Sequence, residues 1–287
     1  MTLTKQIRQE LARTEDTLTC CGSWELKALL LKNGYYTIRD HLHFLSISVD
    51  ENASARRLFN LLRQAGAVSL SIVKQKQRRL NKQSFLVQLK GQEEIDSLLI
   101  YLDLKEAGSQ ISMLRRHTSL PRRNCCRRAF LRGAFLAGGS ISISKRSGYH
   151  LEINCGSMEE ALTYQKIMQS FDLFPLLRYR KGNSYLYLKS VEAIADFLRI
   201  IGAGNALLRL ESTRVIKSMR SHVNRLVNFE TANLEKVVAS AQQQLEAIEI
   251  VDKTIGLQSL PPALKEAARL RREYTDASLK ELGELLE

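Results

Sequence analysis

Two stretches of fifteen residues, 105 positions apart, open on the same dipeptide and share one pattern. Residues 20–34 read CCGSWELKALLLKNG and residues 125–139 read CCRRAFLRGAFLAGG. Both cysteines coincide, as do Leu26 with Leu131, Leu31 with Leu136 and Gly34 with Gly139. Lys27 falls on Arg132, and small Ala28 falls on small Gly133. The residues after each stretch repeat as well. Strand-like residues come first, at 41–49 and 149–155. Helical stretches come next, at 53–65 with Leu58, Leu61 and Leu62 on one face, and at 158–171 with Tyr164, Ile167 and Met168 on one face. Alternating segments then predict hairpins at 68–90, turning near Asn81–Lys82, and at 176–189, turning at Gly182–Asn183. Short helices at 93–102 and 192–201 close the two halves.

A repeated unit of this kind buries some of its apolar surface against its copy. The leading helices are the natural seam, because Ala28 and Gly133 let two backbones approach closely. Gly138–Gly139 sits where the second of them must stop. The expected fold class is α+β: a duplicated αββαββα body followed by an all-α domain. We divide the chain into residues 1–118, 119–205 and 206–287.

Charge narrows the function. The 287 residues carry 43 Lys plus Arg against 30 Asp plus Glu, a net charge of +13. Residues 1–205 hold 31 basic and 18 acidic side chains, whereas residues 206–287 hold 12 of each. A basic body with a neutral tail points to a surface that meets a polyanion, with nucleic acid ahead of an anionic membrane surface. No apolar run approaches the roughly 18 residues that span a bilayer, and the N-terminus lacks a signal-peptide core. The reading is therefore cytoplasmic, with no membrane insertion. The five cysteines are odd in number in a long chain, which argues against a disulfide framework. The vicinal pairs Cys20–Cys21 and Cys125–Cys126 do not match Cys-x₂-Cys metal spacing and are read as small buried hydrophobes. Among the five histidines, His41 and His43 would share a face on a strand but have no evident third ligand. No Walker A or dinucleotide-binding glycine pattern is present. No metal and no cofactor is expected.

Residues 131–139, LRGAFLAGG, resemble a LAGLIDADG motif, and 26–34 is a worn copy. Residues 125–140 together with 222–233 (HVNRLVNFETAN) and 276–284 (DASLKELGE) resemble the WhiA family of bacterial regulators, over nearly the whole chain. That resemblance implies a homing-endonuclease-like body joined to a C-terminal helix-turn-helix domain. It also implies transcription regulation, linked to sporulation in some bacteria and to cell division and chromosome segregation in others. Double-stranded DNA is the implied partner, with another transcription regulator or a division protein as a further one, and the implied location is the nucleoid.

A LAGLIDADG nuclease places a carboxylate at the foot of each seam helix to hold divalent cations against the scissile phosphates. The matching positions here are Asn33 and Gly138, so no catalytic residue is assigned. Glu25, Asp40 and Glu152 lie near enough in sequence to be weighed as substitutes, and each is read as an ordinary solvated residue. An active endonuclease and a basic adaptor for a protein or membrane surface are the alternatives to a non-catalytic DNA-binding protein.

For phosphate contact the candidates are strand residues: Lys74, Lys76, Arg78 and Arg79 in the first half, Arg178, Arg180 and Lys181 in the second. Exposed lysines that merely block edge pairing are the plainer account. The junction adds Arg122 and Arg123, in a segment with six arginines in positions 115–128. That segment either crosses a DNA backbone or is solvated and paired elsewhere.

In the last third, 206–225 predicts a connecting helix and 234–250 a longer one, striped by Leu234, Val237, Val238, Ala241, Leu245 and Ile248. A turn at 256–262 leads to a helix at 263–273. Ser278 and Glu281 form a capping box that opens a last helix, with Leu279, Leu282, Leu285 and Leu286 facing inward. Ser278, Leu279, Lys280, Glu281, Leu282, Gly283, Glu284, Leu285, Leu286 and Glu287 are read as the helix-turn-helix segment, carrying the first helix of the motif and not the reading helix.

Overall fold

The computed structural model describes residues 2–14, 19–77, 82–105, 119–144, 148–180 and 182–286. It divides into two compact units, residues 1–211 and 212–287.

The first unit is the duplication. In the first half, α2 (Thr19–Asn33) leads straight into β1 (Gly34–Arg39), then β2 (Leu42–Val49), α3 (Asn52–Gln64), β3 (Leu70–Gln77), β4 (Lys82–Lys90) and α4 (Gln92–Tyr101). The second half repeats this with α5 (Asn124–Gly138), β5 (Gly139–Ser144), β6 (Gly148–Cys155), α6 (Met158–Gln169), β7 (Leu176–Arg180), β8 (Asn183–Leu188) and α7 (Val191–Ile201). Each half holds a four-stranded antiparallel sheet of one topology, β1-β2-β4-β3 and β5-β6-β8-β7. The α+β duplication is thus as expected. The strands begin earlier than expected, however. β1 and β5 start at the glycine that ends each seam helix, and Asp40 and His41 form the β1–β2 turn with φ of 48° and 60°. Aspartate tolerates that left-handed conformation, so a turn stands where a strand was expected to begin. His41 and His43 accordingly do not share a strand face: His41 is in the turn, and the Nδ1 of His43 meets the Tyr36 hydroxyl.

Helix α1 (Leu3–Leu11) precedes the repeat and serves both halves. Its Thr4 side chain pairs with the backbone of Ile141 on β5, accepting at 2.9 Å and donating at 3.0 Å, and Arg8 donates to the Gly139 carbonyl at 2.9 Å. Leu58, Leu61, Leu62, Tyr164, Ile167 and Met168 are all buried in one continuous core, as their spacing predicts.

The seam is α2 against α5. A Cβ added at Gly133 would lie 2.4 Å from the Glu25 carbonyl oxygen and 2.9 Å from the Ala28 methyl. Glycine is therefore what allows this approach, as the sequence suggested. At the centre Glu25, fully buried, receives both Arg57 of α3 and Arg132 of α5.

The two helices expected at 206–225 and 234–250 are one. Helix α8 runs Gly204–Thr254, 51 residues or roughly 76 Å at 1.5 Å per residue. No glycine or proline interrupts residues 205–255, so nothing in the backbone chemistry stops it. Its first turn is capped from afar by Glu10, whose carboxylate accepts the N–H groups of Asn205 and Ala206 at 2.7 and 3.0 Å. In the second unit, a short 3₁₀ turn (Leu257–Ser259) leads to α9 (Pro262–Glu273) and α10 (Leu279–Leu286).

Candidate nucleic-acid interface

Pleating alternates the residues of each sheet between a face packed on helices and an open face. In the second sheet Leu151, Ile153, Leu186 and Leu188 point to the core. The register then puts Ser140, Ser142, His150, Glu152, Tyr185, Tyr187, Arg178 and Arg180 on the open face. Arg178 and Arg180 are exposed, opposite Tyr185 and Asn183. The result is a half-exposed surface of hydroxyls, aromatic rings and guanidinium groups, with Lys189 Nζ 5.6 Å from the Tyr187 ring.

The first sheet differs. Lys74 pairs with Phe85 and so shares the face of Leu70 opposite Leu89 and Ile72 opposite Val87, the face turned to the helices. Lys74 is exposed because it lies toward the end of the hairpin. The open face carries instead Tyr35, Thr37 and Arg39 from β1, Ser46 and Gln88 joined by a 3.0 Å hydrogen bond, Val73, Gln75 and Lys90. Arg39 and Lys90 are exposed and are not among the sequence candidates, nor are Tyr185 and Tyr187. Alternation in 183–188 would have found the tyrosines, whereas Arg39 needs β1, which the sequence does not announce as a strand. Arg78, Arg79 and Lys181 lie outside the described residues, as does the Lys76 side chain. Arg122 and Arg123 are exposed ahead of α5.

At the foot of the seam the side chains bond to each other and to backbone. Asn33 Nδ2 donates to the Ala137 carbonyl at 3.1 Å, and Lys32 Nζ donates to Asn154 Oδ1 at 3.0 Å. A Cβ at Gly138 would lie 2.6 Å from the Asn154 carbonyl oxygen. The backbone of β6 thus occupies the space a side chain would need. Of the acids weighed as substitutes, Glu25 is not solvated as expected but fully buried, because Arg57 and Arg132 pair with it inside the seam; Asp40 is in an exposed turn, and Glu152 lies 3.4 Å from His150. A further acid, Asp50, lines a cavity of about 250 Å³ with Asn33 and Arg8, and Arg8 Nη1 is 3.8 Å from it.

In the second unit Ser278 and Glu281 make the expected capping box, with Glu281 N–H donating to Ser278 Oγ at 3.3 Å and Ser278 N–H to Glu281 Oε2 at 2.7 Å. Buried Arg271 ties the helices together, donating to Gln244 Oε1 at 2.8 Å and to the Ala277 carbonyl at 2.5 Å. The inward leucine face is only partly realised: Leu282 is buried, but Leu279, Leu285 and Leu286 are 65%, 50% and 48% exposed. Of the α8 stripe, Ala241 is buried, Leu245 is half-buried, and Leu234 and Val238 are exposed. An apolar groove of about 490 Å³ remains open, with Ile248, Val251, Leu260, Leu264, Leu279 and Leu282 in its walls.

The cysteine pairs also do something their spacing does not announce. The sulfurs of Cys20, Cys21, Cys125 and Cys126 all lie within 4.8 Å of one another.

Three family models match successive stretches of this chain. Residues 19–105 match the WhiA N-terminal LAGLIDADG-like domain, residues 127–220 the WhiA LAGLIDADG-like domain, and residues 223–287 the WhiA C-terminal HTH domain. The chain belongs to the WhiA family. A probable cell division protein WhiA of Oceanobacillus iheyensis is 40% identical over all of this chain and 90% of its own length. One from Bacillus mycoides is 40% identical with the same coverage. Among solved structures, full-length DUF199/WhiA from Thermatoga maritima matches with a TM-score of 0.62 and 26% identity, over 100% of this chain and 92% of that one. The WhiA assignment accounts for the duplicated LAGLIDADG-like body and for the helical unit that follows it. No helix among the described residues is long and apolar enough to cross a membrane.

Proposed function

We propose that this chain is a non-catalytic, double-stranded-DNA-binding regulator that serves cell division and chromosome segregation. Transcription control, a nucleoid location in the cytoplasm, and a second partner among transcription regulators or division proteins belong to the same reading. So does the division into 1–118, 119–205 and 206–287. The observation that carries it is the pairing of two open sheet faces with a seam foot that has no carboxylate at Asn33 and no room for one at Gly138. Arg178, Arg180, Arg39 and Lys90 would meet phosphates, and Tyr185 and Tyr187 would pack on the backbone between them. Lys74, Lys76, Arg78, Arg79, Lys181, Arg122 and Arg123 would extend that contact at the margins. Binding of this kind releases counterions, so affinity falls with salt at a slope of about −0.9 per phosphate neutralised. The HTH unit would add its own contacts.

The test is anisotropy of a labelled duplex titrated with the chain in Mg²⁺ at several salt concentrations, followed by a denaturing gel of the same samples. Salt-sensitive binding with intact DNA is expected. Mg²⁺-dependent cutting would restore the endonuclease reading, and no binding at low salt would leave the basic body to a protein or membrane surface.

A further inference from the structure

We propose that Cys20, Cys21, Cys125 and Cys126 form a four-thiolate site for a single zinc ion at the N-terminal end of the seam. The duplication builds it. Both pairs occupy the second and third positions of their helices, since α2 starts at Thr19 and α5 at Asn124. When the two helices meet, two ligands arrive from each side. Tetrahedral zinc with four sulfurs at about 2.3 Å needs sulfurs about 3.8 Å apart. The four sulfurs lie within 4.8 Å of each other, and those of Cys125 and Cys126 are 3.9 Å apart. A small inward shift of side chains closes the remaining gap, whereas a multi-iron cluster would need ligands set wider than this. Local Cys-x₂-Cys spacing is the wrong signal for such a site, because the ligands converge across a pseudo-twofold contact and not along one loop.

The surroundings fit a tetrathiolate, whose net charge with Zn²⁺ is −2. The N-termini of two helices lie at the site, where first-turn N–H groups have no partner within their own helix and the helix dipole favours negative charge. Cys21 and Cys126 are buried, while Cys20 and Cys125 are half-exposed, which leaves a path for the ion. Zinc would displace their protons to solvent: S–H bonds break, four Zn–S bonds form, and nothing is oxidised or reduced. The fifth cysteine, Cys155, stands apart on β6, with its sulfur 3.6 Å from the Ile153 carbonyl, and serves as an internal control. The site lies at the opposite end of the seam helices from Asn33 and Gly138, about 20 Å away along fifteen-residue helices. Metal there would clamp the two halves where the DNA-facing sheets do not.

The experiment uses the full chain, reduced and freed of metal, titrated with Co²⁺ and then Zn²⁺. The expected result is one equivalent of Co²⁺ with the thiolate charge-transfer band and the visible bands of tetrahedral cobalt, bleached by Zn²⁺, with proton release. Cys20→Ser and Cys126→Ser should each weaken metal binding by at least about 100-fold, the upper end of what loss of a supporting group costs, and Cys155→Ala should not. In wild-type protein Zn²⁺ should also protect the four thiols from a thiol reagent, a readout that needs no variant to fold. Reduced protein that shows no tetrahedral cobalt spectrum and no protection would overturn the proposal. So would a mass two or four units low in metal-free protein that does not take up metal after reduction, since the pairs would then be disulfides across the seam.

Discussion

Arg132 of α5 donates its Nε–H to Glu25 Oε2 on α2 at 2.8 Å, and Arg57 of α3 holds both oxygens of the same carboxylate at 2.9 and 2.8 Å. One buried acid thus joins both halves of the duplication. Removing it takes from two buried guanidinium groups the carboxylate they share. Glu25→Ala should cost about 3–5 kcal/mol, the range for an orphaned buried charge. Urea denaturation should show the midpoint falling without a change of slope, and a loss under about 1 kcal/mol would mean that water replaces the carboxylate.

Gly133 sets the distance between the seam helices. Gly133→Ala puts a methyl 2.4 Å from the Glu25 carbonyl oxygen, which is backbone and cannot turn aside. Overpacking of this sort costs about 1–3 kcal/mol. Thermal melts should show it as a clear drop, whereas Gly66→Ala, where no atom lies within 4 Å, should suffer only the strain of its φ of 94°.

Restoring the lost acids should not restore a nuclease. Asp at position 33 would replace an amide that donates to Ala137, and Asp at 138 would drive a Cβ to 2.6 Å from the Asn154 oxygen. The double variant Asn33→Asp, Gly138→Asp is expected to be less stable and still unable to cut a supercoiled plasmid in Mg²⁺. Linear product would show that the fold had kept room for the metals.

The two basic strands should not behave alike. Arg178→Ala with Arg180→Ala removes charge from the open face, and each phosphate thereby left unneutralised should lower the salt slope of duplex binding by about 1. Lys74→Ala, on the other face of its sheet, should change that slope less. Equal effects would place the DNA across the hairpin ends and not on the faces.

Glu94 offers a pH test. Partial burial pushes its carboxyl up, but the N–H groups of Val68 and Ser69 that it accepts outweigh this and hold it below the ordinary 4.5. A lowered folded-state value gives stability that is present above the unfolded value and is lost as pH falls through the folded one. Glu94→Gln should therefore cost about 1 kcal/mol at pH 7. Denaturation curves of the two proteins should converge only as pH falls through the folded-state value, below the ordinary 4.5; a constant gap would assign the loss to shape rather than charge.

Much of the body is legible in the residues alone, because its signals are local and doubled. The leucine spacings of α3, the hairpin turn at Gly182, the small residues at 28 and 133 and the repeat itself each constrain one another, while the turn expected at Asn81–Lys82 lies at the edge of residues outside the described ones. The rest is long-range or hidden in a boundary. β1 begins on the glycine that ends α2, so one residue carries two signals and the helix stop masks the strand start. α8 reads as two helices because its apolar stripe fades through the polar 228–233, although no backbone breaker lies there. The partners of Glu25 sit 32 and 107 residues away, and no pattern in the chain pairs them. Which strand face Lys74 occupies depends on a register that alternation fixes only relative to its own strand.

Helix α1 has its partners far ahead of it in the chain. Thr4 waits 137 residues for Ile141, and Glu10 waits 195 for Asn205. On a ribosome that adds about 5–20 residues per second, those hydrogen bonds form no sooner than roughly seven to forty seconds after α1 is made. Its contacts with the first half, Lys5 with Glu51 and Arg8 with Asp50, need no such delay. An early-made helix thus fastens the second half late, and a nascent chain halted before β5 would hold α1 without its partners there.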